Sequence, residues 1–148
     1  MNEKKKELWF KKYTPEELNR MHENSMQSFC GVYFTEIGAD YIKASMPVNE
    51  RTKQPHGLLH GGANIVLAES LGSIGSVLCI DLDKFNCVGL DINANYLRAV
   101  RGGHIHGVTT PLHLGRSTQV WEVKIYDDEG KLSCVSRMTN AILKREKK

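Results

Sequence analysis

The sequence has little cysteine and little proline, and nothing in it suggests a disulfide framework. Its 148 residues include four cysteines and four prolines. The cysteines form no C-x-x-C pair and each has apolar neighbours in the sequence; they are Cys30, Cys79, Cys87 and Cys134. This spacing favours small core hydrophobes over a disulfide scaffold or a structural zinc site.

Long hydrophobic runs are also missing. The sequence contains no uninterrupted stretch of about 18 apolar residues, the length that a transmembrane helix needs. The first 14 residues carry lysines and no apolar run of the kind found in secretory signals. We therefore expect a cytoplasmic protein with no membrane partner.

The excess of positive charge is small and lies at the two ends. The formal net charge is +3, and nine of the 20 basic residues fall in residues 1–12 and 144–148. Residues 13–143 carry 11 bases and 14 acids, a net charge of −3. This distribution predicts a single domain over residues 13–143, a basic N-terminal tail at 1–12, a basic C-terminal tail at 144–148 and no nucleic-acid partner.

Hydrophobic periodicity predicts an α+β fold. Thr14 and Pro15 indicate the start of a short helix that runs to about Ser25. Residues 61 to 80 have apolar side chains at helical spacing, which predicts one long helix with a buried face. Alternating patterns predict a hairpin over residues 31 to 48 and further strands over 86 to 96, 104 to 112, 120 to 125 and 132 to 143. We expect an antiparallel sheet wrapped around the long helix.

The strand that follows the long helix has a regular alternation of residue types. This pattern predicts Gly89 on one face of the strand and five larger side chains on the other. The five are Val88, Leu90, Ile92, Ala94 and Tyr96.

The long helix carries a single charge, Glu69, among small and apolar residues. The residues three and four positions away are Ile65, Val66, Gly72 and Ser73, so no local ion pair is available. A carboxylate in an apolar setting is costly unless it is paired or protonated. Two interpretations remain: Glu69 faces solvent, or it is a reactive carboxylate that faces a cleft as a base or nucleophile.

The start of this helix is a second candidate site. Gly61 and Gly62 lack side chains, so the first free N–H groups and the positive end of the helix dipole can approach a ligand. Glu69 lies about 12 Å further along the axis of a regular helix. Both groups can act on one atom only if two subunits share the site or the helix begins after Gly61.

The motifs RTKQPHGLLHGGA and VLAESLGS carry a family resemblance. The spacing of Gln54, His60, Gly61, Glu69 and Ser73 resembles the active-site pattern of the hotdog-fold acyl-CoA thioesterases, in the phenylacetic-acid-type branch that uses a helical Glu. The likeness covers nearly all of the chain after residue 12, including VGLDINANYLR, PLHLG and QVWEVKIYDDEGKLSCVSR. Within the family it is strongest to 1,4-dihydroxy-2-naphthoyl-CoA thioesterases of menaquinone biosynthesis and their enterobactin-pathway relatives.

This resemblance implies a role for each matching residue. Glu69 would attack the thioester carbonyl or activate the water that does, and the Gly61 N–H of a neighbouring subunit would polarise that carbonyl. His60 and Gln54 would orient the acyl thioester, and Ser73 would hold the water or Glu69. The family also implies an acyl-CoA substrate, no cofactor, and a homodimer as the minimal active unit, often within a homotetramer.

Further positions match the family's substrate and coenzyme A contacts. Tyr96 stands where close relatives carry a histidine, at a position that resembles a contact with the acyl group. Arg98 and Arg116 are plausible phosphate partners because guanidinium groups suit phosphate oxygens, although strand-end arginines facing solvent would look the same. The positions that match the coenzyme A channel are Gly89, Arg98, His113, Gly115, Arg116 and Ser117.

Other chemistries have weaker support. His104, His106 and His113 invite a metal site, but no spacing marks a further ligand, and we expect no metal. The serines of LAESLGS lack a G-x-S-x-G elbow. Three alternatives remain: a broad-specificity aryl or medium-chain acyl-CoA thioesterase, a non-catalytic acyl-CoA-binding module, and a hydratase on the same fold, which would need a differently placed His–acid pair.

Overall fold

A computed structural model describes residues 8–146 and contains nine elements. The helices are α1 (Pro15–Met21), α2 (Met26–Cys30) and α3 (Gly61–Cys79). The strands are β1 (Tyr33–Ile37), β2 (Ile42–Pro47), β3 (Phe85–Tyr96), β4 (His104–Leu114), β5 (Thr118–Asp127) and β6 (Leu132–Lys144). All strand pairs are antiparallel, in the order β1-β2-β4-β5-β6-β3. The predicted α+β architecture, an antiparallel sheet around one long helix, is confirmed.

Helix α3 lies in the concave face of the sheet and packs against β2, β3, β4, β5 and β6. By length and composition it could cross a membrane, yet most of it is buried inside the fold, as in a core helix. Close packing depends on its glycines: a methyl group on Gly75 would lie 2.9 Å from the Trp121 ring. The Trp121 Nε1–H donates to Ser76 Oγ at 2.8 Å, which satisfies both buried polar groups. The predicted buried stripe is confirmed at Leu67, Leu71, Ile74 and Leu78.

The first predicted helix is too long. Thr14 caps α1 as expected, in a capping box with Glu17. The helix then ends at Met21, and Asn24 has a positive φ of 57°, which a helix cannot contain. Ser25, expected to be the last helical residue, caps the separate helix α2.

Part of each predicted tail belongs to the folded domain. The Trp9 ring stacks on Trp121 with ring centroids 6.3 Å apart, and its Nε1–H donates to the Gly38 carbonyl at 2.6 Å. At the other end, Lys144 closes β6 and the Arg145 N–H donates to the Lys84 carbonyl. The tail boundaries at residues 12 and 144 therefore move outward. Residues 1–7 and 147–148 of the predicted tails lie outside the described part of the chain.

A bulge in β3 corrects the predicted faces of this strand. Gly89 pairs with Asn140 and Asp91 with Thr139, so Leu90 is the extra residue. Because a bulge shifts the alternation by one position, Gly89 faces α3 together with Ile92, and Val88 and Leu90 are exposed. The prediction that Val88 and Leu90 share a face with Ile92 is wrong for this reason.

The buried cysteines lead to a testable expectation. Cys134 has no exposed surface, and burial raises the pKa of its thiol to about 11. Because the thiolate is the reactive species, only about one thiol in a thousand would be ionised at pH 8. We expect iodoacetamide to leave Cys134 unmodified in the native protein, as peptide mass analysis would show. The guanidinium-unfolded chain is the control, and rapid native labelling of Cys134 would contradict its burial.

Candidate active site

The amino-terminal end of α3 presents an open hydrogen-bond donor. His60 caps the helix, with Nδ1 accepting from the Gly62 N–H at 2.8 Å. Since Nδ1 is an acceptor here, the neutral ring carries its proton on Nε2, and the exposed His60 side chain can donate from that atom. Within residues 8–146 the Gly61 N–H has no hydrogen-bond acceptor. The structure thus places the free donor at the residue that the sequence indicated.

A cavity opens beside this donor. Its volume is about 330 Å³. The Tyr96 ring covers Gly61 so closely that a methyl group on Gly61 would lie 2.9 Å from Cε2 and Cζ. The structure therefore brings four predicted residues, Gln54, Gly61, Tyr96 and Arg98, to one place. The remaining lining residues are Leu58, Leu59, Asn64, Leu97, Ala99 and Val100.

Glu69 belongs to a different part of the surface. It is exposed in the single chain, and a methyl group on Gly89 would lie 3.5 Å from its Oε1, so its carboxylate lies over β3. Ser73, one turn later, donates from Oγ to the sulfur of Met138 at 3.7 Å. No described residue forms an ion pair with Glu69. In the single chain Glu69 is not enclosed by apolar side chains, and its carboxylate is accessible, as the solvent-facing interpretation states.

Gly61 and Glu69 could act on one atom if two subunits share the site or if the helix begins after Gly61, and the structure excludes the second possibility. The helix begins at Gly61 and continues to Cys79 without interruption. Eight residues of regular helix separate the two groups by about 12 Å along the axis. Glu69 also does not line the cavity that contains Gly61. A single chain thus holds two half-sites that cannot contact the same atom.

The remaining predicted contacts lie around the β4–β5 turn. The Gly115 N–H donates to the Thr118 carbonyl at 2.9 Å, and the Ser117 carbonyl accepts from Ile142 at the same distance. The His113 ring packs on Gly115, where a methyl group would lie 2.5 Å from Nε2. Of the predicted contacts at this turn, Gly115 and Arg116 line a second cavity of about 630 Å³.

The two cavities lie at opposite ends of α3. Cys79 lines the second cavity and Gly61 the first, and a helix of this length separates them by about 27 Å. Arg98 and Arg116, both predicted as phosphate partners, are therefore far apart in one chain. The structure does not assemble the predicted coenzyme A contacts into one site within a single copy.

Asp128 contacts two of the three histidines that suggested a metal site, one through its side chain and one through its backbone. His106 Nε2 lies 2.7 Å from Asp128 Oδ1, and the His104 N–H donates to Oδ2 at 2.9 Å. The hydrogen bond with His106 lowers the pKa of the Asp128 carboxyl. Across residues 8–146, no three His, Cys, Asp or Glu side chains cluster in a way that could hold a metal ion. The absence of a metal cofactor stays a prediction.

Comparison with known proteins points to one family. The model of the thioesterase superfamily matches residues 56–134. The chain is similar to the 1,4-dihydroxy-2-naphthoyl-CoA hydrolase of Escherichia coli (strain K12), with 52% identity over 92% of this chain and 99% of the relative. It is also similar to the proofreading thioesterase EntH of Cronobacter sakazakii, with 46% identity over 92% of this chain and 98% of the relative.

The fold is shared with solved structures as well. A mutant thioesterase from Pseudomonas aeruginosa has a TM-score of 0.92 at 46% identity, and the match covers 93% of this chain and 99% of that one. A thioesterase from Haemophilus influenzae has a TM-score of 0.90 at 47% identity, over 93% and 95% of the two chains.

Proposed function

Because the chain belongs to the thioesterase superfamily, with its hotdog fold, and is a thioester hydrolase, we propose that it hydrolyses an aromatic acyl-CoA in the cytoplasm. The products are the free acid and coenzyme A. The first substrate to test is 1,4-dihydroxy-2-naphthoyl-CoA of the menaquinone pathway, because the Escherichia coli relative named for this activity is 52% identical. No cofactor takes part.

The single observation that carries the mechanism is the separation of two accessible half-sites on one helix. Gly61 offers a free N–H, and Glu69 offers a carboxylate about 12 Å further along α3. We infer that the active site forms between two copies, with Glu69 of one copy facing the Gly61 end of α3 in the other. A homodimer then contains two equivalent sites, as two-fold symmetry requires.

Strand β3 supplies the surface for this dimer. It is the longer of the two edge strands, and its outer side has no neighbouring strand among the described residues. Val88, Leu90 and Tyr96 are 47%, 61% and 55% exposed, which is costly for apolar side chains at a free edge. Pairing of two β3 edges would satisfy the unpaired backbone groups of this edge, bring these side chains next to a second copy and extend the sheet through both copies. A homotetramer would form from two such dimers.

In this arrangement the reaction is acyl transfer to water. Glu69 adds to the thioester carbonyl as a nucleophile, or removes a proton from the water that adds. The carbonyl oxygen becomes an oxyanion, and the Gly61 N–H at the positive end of the helix stabilises it. Collapse of the tetrahedral intermediate breaks the C–S bond and releases coenzyme A. In the nucleophilic route, water then hydrolyses the acyl–Glu69 anhydride.

The other predicted residues position the substrate. Gln54 and Tyr96 contact the acyl group in the cavity beside Gly61, and the His60 Nε2–H donates toward the thioester. Ser73 holds the attacking water near Glu69. More than one copy contributes to the channel for coenzyme A, because Arg98 and Arg116 lie at opposite ends of α3. The channel residues are Gly89, Arg98, His113, Gly115, Arg116 and Ser117.

A substrate panel tests this proposal. Release of free thiol from 1,4-dihydroxy-2-naphthoyl-CoA, benzoyl-CoA, phenylacetyl-CoA and straight-chain acyl-CoA would be measured, and we expect the aromatic substrates to have the highest kcat/KM. Similar values for aryl and medium-chain substrates would support a broad-specificity thioesterase instead. Binding of acyl-CoA without thiol release would indicate a non-catalytic module and would contradict the proposal.

A further inference from the structure

Asn64 has a buried side-chain amide that the chain itself does not satisfy. The residue is 7% exposed, lies in the first turn of α3 and lines the cavity beside Gly61. Its Oδ1 is enclosed, and neither end of the amide forms a hydrogen bond with any residue from 8 to 146. Buried polar groups are almost always paired, so this amide indicates a partner that a single empty chain lacks. The sequence pattern did not single out Asn64.

Two other buried amides show why Asn64 is different. Asn140 also has an unpaired Oδ1, but its Nδ2–H₂ donates to the Gly72 carbonyl at 3.0 Å and to Ser76 Oγ at 2.8 Å. These bonds fix Asn140 between β6 and α3. Gln119 has an unpaired Oε1, but it lies in the other cavity, at the far end of α3. Of these three amides from residues 8–146, Asn64 is the one that lines the cavity beside the Gly61 N–H.

The position of Asn64 limits which part of a substrate it can reach. It follows Gly61 by three residues, which places both on one face of the helix, and helical side chains lean back over the preceding turn. The amide therefore lies beside the place where the Gly61 N–H would hold the thioester carbonyl. A group that contacts Asn64 must be attached close to the carbonyl carbon, not at the remote end of the acyl chain.

The cavity walls indicate the chemistry of that group. Leu58, Leu59 and Leu97 supply apolar surface, and the Tyr96 ring lies beside them, which suits an aromatic acyl group. A charged substituent on the acyl group would pair with the Arg98 guanidinium. The neutral amide of Asn64 is best matched by a hydroxyl. A hydroxyl can donate and accept, so it pairs with whichever end of the amide faces the cavity.

We propose that Asn64 is a specificity-determining residue that hydrogen-bonds a hydroxyl next to the thioester-bearing carbon of an aromatic acyl group. This inference rests on the proposed function, whose first test substrate, 1,4-dihydroxy-2-naphthoyl-CoA, carries such a hydroxyl, and it assigns the recognition of that hydroxyl to Asn64. A site built around a substrate hydroxyl discriminates against the analogue without it, because the buried amide is then left unpaired.

The test compares kcat/KM for 2-hydroxybenzoyl-CoA, 4-hydroxybenzoyl-CoA and benzoyl-CoA in three proteins. Asn64→Leu replaces the amide with an apolar group of similar shape. Gln119→Leu is the matched control, because it removes a buried unpaired amide from the other cavity. Ratios between substrates are compared across variants, so the intrinsic reactivity of each thioester cancels.

We expect Asn64→Leu to lower the ratio of 2-hydroxybenzoyl-CoA to benzoyl-CoA by roughly tenfold or more relative to the unmodified protein. The ratio of 4-hydroxybenzoyl-CoA to benzoyl-CoA should not change, and Gln119→Leu should keep both ratios. If the leucine variant does not fold, Asn64→Ala removes the amide without adding volume.

Two outcomes would overturn the inference, and they differ. If the unmodified protein is active and neither Asn64→Leu nor Asn64→Ala changes the substrate ratios, the role of Asn64 is overturned and the proposed function is not. The same holds if the variants weaken the dimer and lower activity on all substrates equally, because the ratios then stay the same. An unmodified protein that releases no thiol from any of the acyl-CoA substrates would overturn the proposed function as well.

Discussion

Glu69→Gln should lower kcat for thioester hydrolysis by about 10²-fold or more, the scale of a positioned acid–base or nucleophilic group. The substitution keeps the shape of the side chain and removes its charge and basicity. Glu69 is exposed in the single chain and has no ion pair with a described residue, so the fold should not depend on its charge. Steady-state thiol release gives kcat, and calorimetry gives the affinity for coenzyme A and the Tm.

The matched control is Glu16→Gln, which removes one exposed carboxylate from α1, a helix that contributes to neither half-site. We expect both variants to unfold at the same temperature as the unmodified protein and to bind coenzyme A. Only Glu69→Gln should lose hydrolysis. Full activity of Glu69→Gln would rule out this carboxylate as the base or nucleophile.

Gly61→Pro should lower kcat by about 10²-fold, because removal of one oxyanion donor typically has an effect of this size. Proline has no N–H, and position 61 is the first residue of α3, where proline is tolerated. The preceding residue, His60, has φ −66° and ψ 135°, the extended conformation that a residue before proline adopts. The Gly61 N–H also has no acceptor among residues 8–146, so its loss removes no hydrogen bond from the fold.

Gly61→Ala is the necessary control for the proline variant. Any side chain at position 61 meets the Tyr96 ring, 2.9 Å from the first added carbon, so the ring must move in both variants. Alanine keeps the N–H, and we expect it to retain much more activity than proline. Equal losses in the two variants would assign the effect to the displaced Tyr96 ring and not to the missing donor.

The long helix and its two candidate groups could be predicted from sequence because their signals are local. Residues 61 to 80 carry an apolar stripe at helical spacing, and the observed helix is Gly61–Cys79. The glycines at its start and the isolated charge of Glu69 are visible in the sequence without any tertiary information. The distance of about 12 Å between Gly61 and Glu69, too long for both to contact one atom, also followed from the rise per residue of a helix.

The features that could not be predicted depend on contacts between distant parts of the chain. The bulge at Leu90 is set by pairing of β3 with β6, so alternation along β3 alone assigned Val88 to the wrong face. Trp9 joins the domain through contacts with residues far away in the sequence, the Trp121 ring and the Gly38 carbonyl. Asn64 looks like an ordinary helical residue until its buried, unpaired amide is placed beside the cavity.

The sequence allowed two interpretations of Glu69, one solvent-facing and one catalytic. The first describes the single chain, and the second describes the proposed dimer. In one copy Glu69 is exposed, as the first interpretation states. In the proposed dimer the same carboxylate faces a thioester held by the other copy. Which description applies depends on a second chain, and that information is not in local sequence patterns.

Hybrid dimers test the shared site most directly. Glu69→Gln and Gly61→Pro chains would be co-expressed with different affinity tags, the heterodimer isolated through both tags, and thiol release measured beside each homodimer. In the heterodimer one site combines both defects and the other combines an intact Glu69 with an intact Gly61. We predict recovery to about half of the unmodified kcat per dimer, as two-fold symmetry with one intact site requires. A heterodimer as inactive as the two parent homodimers would contradict a site formed by Glu69 of one copy and Gly61 of the other.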